Sequence, residues 1–249
     1  MKIFRSESIA DYATYTFNYA MYCKQEAVSE IDEIYRQGFL PYSNTLSLEE
    51  PHYYMARSLR VELDKFKDTS ENRRIAKKIA TLEPSIKLIK KADFKNDEAF
   101  QKFCLDYAAI RFDGAMPQER FDYIYNWEAL NNIFEFRDGN NKLLGYVFTI
   151  ITNQILHYWF SFYNMEHSHL GLGKWMMFSV IDWAKQNDLQ EVYLGTCYGE
   201  KAMYKMRDFK GLSFFDGNQW NTDMKLLKSK CKTDNKFVGD DFKLQRREL

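Results

Sequence analysis

The chain has 249 residues, 45% of them hydrophobic, and its 35 basic side chains balance 35 acidic ones. That length can bury one large core or two small ones, and neutrality argues against an indiscriminate nucleic-acid binder while allowing a local basic face. Cys23, Cys104, Cys197 and Cys231 never form a C-x-x-C pair, so neither a disulfide framework nor a zinc pattern is expected, and a reducing cytoplasm is the expected compartment. Lys2 and Arg5 are not followed by the apolar core of a signal peptide, and no apolar run reaches the ~20 residues of a membrane span.

In chain order, residues 8–36 read as helix, because Tyr12, Tyr15, Tyr19 and Tyr22 recur at intervals of three and four. Such a face either packs on a core or stacks on nucleotide bases, and packing is the expectation, since periodic aromatics usually report burial. Residues 38–42 read as a turn and 44–51 as a loop. Residues 58–63 alternate as a strand, and a helix starts at 68–72 with Asp68 or Ser70 able to cap it. Between positions 57 and 95 twelve basic residues face six acidic ones. The positive charge of a neutral chain is therefore concentrated there, either as a solvated face or as one that meets phosphates.

Residues 97–109 read as an amphipathic helix carrying Phe100, Phe103, Leu105 and Tyr107. Residues 111–116 read as a loop, and Pro117 starts a helix through position 125. A strand over 133–137, the turn Asp138-Gly139-Asn140-Asn141 and a strand over 143–152 form a hairpin. A third strand follows over 155–163, aromatic and uncharged. Then come Leu170-Gly171-Leu172-Gly173-Lys174, a helix over 175–185, a strand over 192–195 and the first turns of a helix at 200–205. Strand, glycine turn, helix, strand is a βαβ unit, which builds a parallel sheet. An antiparallel meander leading into a parallel βαβ unit makes a mixed sheet of the α+β class. Phe214, Phe215 and Trp220 close the domain, and a lysine-rich polar tail follows. The expected division is a helical and basic region over 1–96 packed on the core, a domain over 97–222 built on the mixed sheet, and a basic, mobile tail over 223–249.

The glycines lie at a helix N-terminus, where open N–H groups and the positive end of the dipole can hold a phosphate. The alternative is a plain strand-to-helix turn that needs glycine for its geometry. Here Ser168-His169-Leu170-Gly171-Leu172-Gly173 resembles the pyrophosphate loop of the GNAT acyltransferase superfamily, and Ala202-Met203-Tyr204-Lys205 resembles its later, tyrosine-bearing helix. A longer match is more specific. Tyr107-Ala108-Ala109-Ile110-Arg111-Phe112-Asp113-Gly114-Ala115-Met116 is similar to the Tyr-x-x-x-Arg-His-x-Asp-Gly-x-Met signature of the arginyl-tRNA–protein transferases, the N-end rule aminoacyltransferases. Phe134-Glu135-Phe136-Arg137, Ser161-Phe162-Tyr163, Tyr193-Leu194-Gly195, Met203-Tyr204-Lys205 and Trp220 follow that family's order. The resemblance runs from about position 103 to 220. It departs at Phe112, where the family has histidine, at Thr196-Cys197-Tyr198, and in lacking the family's N-terminal cysteine pairs.

The resemblance implies a GNAT-like fold and transfer of an amino acid, arginine in that family, from charged tRNA to the N-terminal amine of an acceptor protein. Such a reaction needs a neutral amine, a stabilised oxyanion and a proton for the leaving ribose oxygen. Tyr204 is the expected proton donor, and Glu135 and Asp113 are candidates to take the amine's proton, each with a structural salt bridge as its alternative. Ser168, Leu170, Gly171, Leu172, Gly173 and Lys174 would hold the donor, while Arg111, Tyr163, Tyr193 and Lys205 would meet substrate. Arg73, Arg74, Lys77 and Lys78 would face tRNA. His157, His167 and His169 share no ligand spacing, so no metal is expected. Aminoacyl-tRNA is then a co-substrate rather than a cofactor, and a cytoplasmic monomer away from membranes is expected. Two other readings stand beside this one: a GNAT N-acyltransferase using acyl-CoA at Gly171 and Gly173, and a catalytically inactive binding relative.

Overall fold

The computed structural model describes residues 1–11, 16–43, 51–112 and 116–237, and the side chains of 1–6, 19–43, 51–112 and 116–234. In chain order the elements begin with β1 (Lys2–Asp11), β2 (Thr16–Lys24), α1 (Ile31–Arg36), β3 (Phe39–Pro41), β4 (Tyr53–Met55), β5 (Ser58–Glu62), α2 (Ser70–Ile79) and β6 (Ser85–Lys90). They continue with α3 (Glu98–Arg111), α4 (Gln118–Asn126), β7 (Asn132–Arg137), β8 (Leu143–Ile151), β9 (Ile155–Tyr163), α5 (Leu172–Gln186) and β10 (Glu191–Thr196). The last are α6 (Tyr204–Asp208), β11 (Leu212–Phe215), β12 (Trp220–Asn221) and α7 (Met224–Phe237). None of the described helices is long and apolar enough to cross a membrane.

The chain divides into two compact units that interleave in sequence: Met1–Leu40 with Tyr53–Lys67 and Leu194–Leu249, and Pro41–His52 with Asp68–Tyr193. In the second unit β6, β7, β8 and β9 follow one another as an antiparallel meander. β10 then pairs with β9 in parallel, Glu191–Tyr193 opposite Ile155–His157, after α5 has crossed over. Alternation on β7 sorts its side chains between two layers. Phe134 and Phe136 stack edge-on against Trp183 and Trp175 of α5. Ile133 joins the cluster of Phe100, Cys104, Tyr107, Phe121, Phe148 and Phe162 under α3 and α4. Each such aromatic, fully buried, contributes roughly 1.5–3 kcal/mol. This is the expected mixed sheet of the α+β class.

In the first unit β1 and β2 form an antiparallel hairpin, with Lys2 opposite Lys24, and β4 pairs with β2. β5 pairs with β11, and β11 with β12. The hairpin stands where a helix over 8–36 was expected, of which only a 3-10 turn and α1 remain. Ile3, Phe4, Ile9, Thr16, Phe17, Tyr19 and Tyr22 are strand formers, and their pairing outweighs the three-and-four recurrence of the tyrosines. Tyr19 is 58% exposed, so no tyrosine stripe is packed there as a helix face; Tyr12 and Tyr15 lie outside the described residues.

Smaller differences have equally local causes. Position 39 opens a strand, not a turn. The cap of α2 is Thr69, whose hydroxyl accepts from the Asn72 N–H at 3.1 Å, in place of Asp68 or Ser70. Positions 224–237, expected as the start of a mobile tail, are helical, with Leu227 and Cys231 fully buried.

Candidate active site

β9 ends at Tyr163, and the chain must then reverse into α5. Asn164 starts the reversal by accepting from the Glu166 N–H at 3.0 Å, and a 3-10 turn over Met165–Leu170 carries it to Gly171. Gly171 has φ 87°, a left-handed conformation that favours glycine. A Cβ there would sit 3.3 Å from Ile75 of α2. Gly173 serves a different purpose: a Cβ there would lie 2.6 Å from Cε1 of Tyr163, so its absence lets the ring lie against the first turn of α5. The N–H groups of Leu172 and Gly173 make no hydrogen bond among the described residues, while those of Lys174 and Trp175 reach the Gly171 carbonyl. A helix of 15 residues therefore begins with two open donors. Leu172 itself is fully buried, so only its backbone can meet a donor substrate. Ser168 is exposed, and its carbonyl accepts from Gly171 N–H at 3.0 Å; Leu170 and Lys174 are partly buried.

Tyr107, which opens the family-like signature but was given no role in the site, joins this corner. Its ring lies 4.7 Å from that of Tyr163, and Phe112 packs edge-on against it at 5.8 Å. Burial first, and then the adjacent Tyr163 phenol, raise the Tyr107 pKa well above that of a free phenol, while Arg111 opposes the shift. Arg111 is exposed at the last position of α3. The structure thus brings together Arg111, Tyr163 and Gly173, with Tyr107 linking Arg111 to Tyr163 and the Tyr163 ring against Gly173. Phe112, at the family's histidine position, extends the apolar packing of Tyr107.

Helix α2 lies beside the same turn. It buries Asn72, Ile75 and Ile79 and leaves Arg73, Arg74, Lys77 and Lys78 exposed on its other face. Arg74 pairs with Glu71 at 2.7 Å and Arg73 donates to the Asp68 carbonyl at 3.2 Å. Lys77 and Lys78 make no ion pair among the described residues. The basic face is therefore carried by the helix whose Ile75 faces Gly171.

Glu135 does not share this corner. It sits on β7, two strands from β9, and its two carboxylate oxygens accept from Arg137 at 2.8 and 3.1 Å. This is the salt-bridge alternative. Asp113 lies outside the described residues. Tyr193 is fully buried with its hydroxyl on Glu191 at 2.8 Å, so it has no surface to offer a substrate.

In the other unit, Tyr204 opens α6 and is partly buried. The ammonium of its neighbour Lys205 is buried and donates to the carbonyls of Leu194 at 2.6 Å and Thr196 at 3.1 Å. Burial holds its pKa down to about 8, with Cys197 opposing. Lys205 is thus a brace on the end of β10, where substrate contact was expected. α7 holds the segment that follows: Asp234 accepts from Arg57 at 2.7 and 3.1 Å and from the Gly199 N–H at 2.9 Å. The Cys197 and Cys231 sulfurs lie 3.7 Å apart, a contact across 34 residues that no sequence spacing announced. Burial, and then Cys231, push the Cys197 thiol up to about 12.

The acetyltransferase (GNAT) domain model matches residues 131–206, from β7 into α6. An aspartate/glutamate leucyltransferase of Stenotrophomonas maltophilia strain K279a is 27% identical over 180 residues, covering 68% of this chain and 70% of that protein. One from Alkalilimnicola ehrlichii is 30% identical over 181 residues, covering 68% of this chain and 71% of that protein. Among solved structures, FemX has a TM-score of 0.49 at 9% identity, covering 81% of this chain and 70% of that one. The match therefore lies with aminoacyltransferases named for leucine, and transfer of arginine is not what these relatives' names carry. With a GNAT domain at its centre, this chain belongs to the family of the aspartate/glutamate leucyltransferases.

Proposed function

We propose that the protein moves leucine from charged tRNA to the N-terminal amine of acceptors that begin with aspartate or glutamate. The carrying observation is the 30% identity, over most of both chains, with a protein named for that transfer. Leucine takes the place of the arginine implied by the family signature.

Amine attack on the aminoacyl ester builds negative charge on the carbonyl oxygen, and open backbone donors at a helix start stabilise such charge without reorganising. The Leu172 and Gly173 N–H groups are of that kind. Arg111, exposed beside Tyr107, offers the fork that binds a carboxylate with two hydrogen bonds, as an acceptor aspartate or glutamate needs. Arg73, Arg74, Lys77 and Lys78 provide charge for the tRNA backbone. Tyr204 supplies the proton to the leaving ribose oxygen. Glu135, held on both oxygens by Arg137, is the weaker candidate for proton removal, and Asp113 takes that role.

The test is incubation with leucyl- or arginyl-tRNA and peptides that begin with Asp, Glu, Lys or Arg, read by mass. A leucyl adduct on the Asp and Glu peptides alone is expected. An arginyl adduct would move the amino acid, and no adduct from any tRNA would overturn the reading. The GNAT match and the open donors of α5 also suit an acyl-CoA-dependent N-acyltransferase. Acyl-CoA that protected the protein against heat and acylated the same peptides would favour that second reading.

A further inference from the structure

Away from this corner, the carboxyl half of α5 and the edge of the sheet enclose a groove of about 350 Å³. Ile86 and Leu88 of β6 and Phe134 of β7 line it from the sheet, and Ser179, Asp182 and Trp183 from the helix. Ile86 lies opposite Phe136 and Leu88 opposite Phe134, so both point to the α5 side by strand alternation, and Lys87 points to the other. The Trp183 and Phe134 rings meet edge-on at 5.2 Å.

Asp182 is the anomaly. It is partly buried, yet it makes no hydrogen bond and no ion pair among the described residues. Burial, and then the charge of Asp68, raise its pKa to about 6, with Lys185 opposing. A desolvated carboxylate without a partner costs stability, and such groups gather where a ligand supplies the missing charge. Two aromatic rings beside a carboxylate suit a cation on an apolar stem.

The neighbouring strand says how that cation is carried. β6 ends its sheet, so its outer N–H and C=O groups face no strand among the described residues, and Ser85, Ile86 and Lys87 are exposed. An extended chain that pairs with such an edge sends every second side chain to the α5 side. We propose that the groove takes the lysine or arginine side chain of an extended peptide segment that adds to the outer edge of β6 and sets its charge on Asp182. This is independent of the transfer reaction, since none of the groove residues belongs to the corner at Tyr163.

The probe is an acetylated, amidated hexapeptide of valine and threonine with one central arginine, compared with its glutamine counterpart by calorimetry and by amide and indole NMR shifts. We expect the arginine peptide to bind about tenfold more tightly, with shifts at Ile86, Leu88 and the Trp183 indole. Asp182→Asn should erase that preference while leaving the spectrum of a folded protein. Agmatine alone should bind more weakly than the peptide. Equal affinity for the two peptides, or a preference that survives Asp182→Asn, would overturn the charge assignment. Agmatine binding as tight as the peptide would make this a small-amine site and overturn the peptide proposal.

Discussion

The start of α5 and the end of β10 each carry a glycine with left-handed backbone, Gly171 at φ 87° and Gly195 at φ 74°. Their surroundings are opposite. Beyond Gly171, the Leu172 and Gly173 donors are open. Around Gly195, the Leu194 and Thr196 carbonyls are closed by one buried ammonium, that of Lys205. A left-handed glycine thus stands beside a place for a ligand in one case and beside a self-satisfied brace in the other. A motif cannot distinguish them, because the difference lies in where each backbone hydrogen bond goes.

The contrast breaks most easily at Gly173. The Tyr163 ring lies between this glycine and the Tyr107 ring at 4.7 Å, so it has little room to yield. Gly173→Val should therefore lose about 3 kcal/mol of folding stability, the upper range for overpacking, and with it any transfer activity. Denaturant unfolding measures the first effect. Adding Tyr163→Ala should recover most of the stability but not the activity. A Gly173→Val protein as stable as its parent would mean that the glycine is not there for the ring.

Tyr204 and Lys205 are adjacent in sequence but differ in what they do: Lys205 braces the end of β10, and Tyr204 is the proposed proton donor. Tyr204→Phe should slow transfer about a hundredfold, within the range for loss of a general acid, with little change in donor affinity or unfolding midpoint. Lys205→Met leaves two carbonyls without their donor and should cost about 2 kcal/mol of stability, partly offset by no longer burying a charge. Single-turnover kinetics and denaturant curves on both variants separate the tasks. If Lys205→Met reduced turnover while leaving the midpoint unchanged, the brace would be refuted.

Local periodicity made much of the second unit legible. Residues 155–163 were expected as a strand and are β9, and Asp138–Asn141 make the expected turn, closed by Asp138 N–H to Lys142 O at 2.9 Å. The N-terminal hairpin was not legible, because three-and-four recurrence of tyrosines imitates a helix when strand partners are unknown. The site was half legible. Glycines and basic residues stand out in a sequence, but that Gly173 serves Tyr163, that Tyr107 joins the corner, and that Tyr193 and Glu135 are already engaged depend on tertiary neighbours. Asp182 was invisible for the same reason: on a helix surface an aspartate is ordinary until its partners are shown to be missing.

The smallest effect concerns that aspartate. Its carboxyl is raised from an ordinary 3.8 to about 6, chiefly by burial and then by Asp68, with Lys185 the opposing charge. Through that window the folded protein keeps a proton that the unfolded chain has released, so stability falls as pH rises from about 4 to about 6. Below the window there is no penalty, and above it the penalty is complete. Because the side chain is only partly buried, solvent screening reduces the cost to about 1 kcal/mol. Asp182→Asn removes the charge but keeps the shape. The variant should melt higher than its parent at about pH 7, and the two should converge near pH 3.5, where both side chains are neutral. A gap that persisted undiminished in acid would have to come from packing. No gap at any pH would mean that the carboxylate is adequately solvated, and the argument that a missing cation belongs beside it would lose its energetic basis.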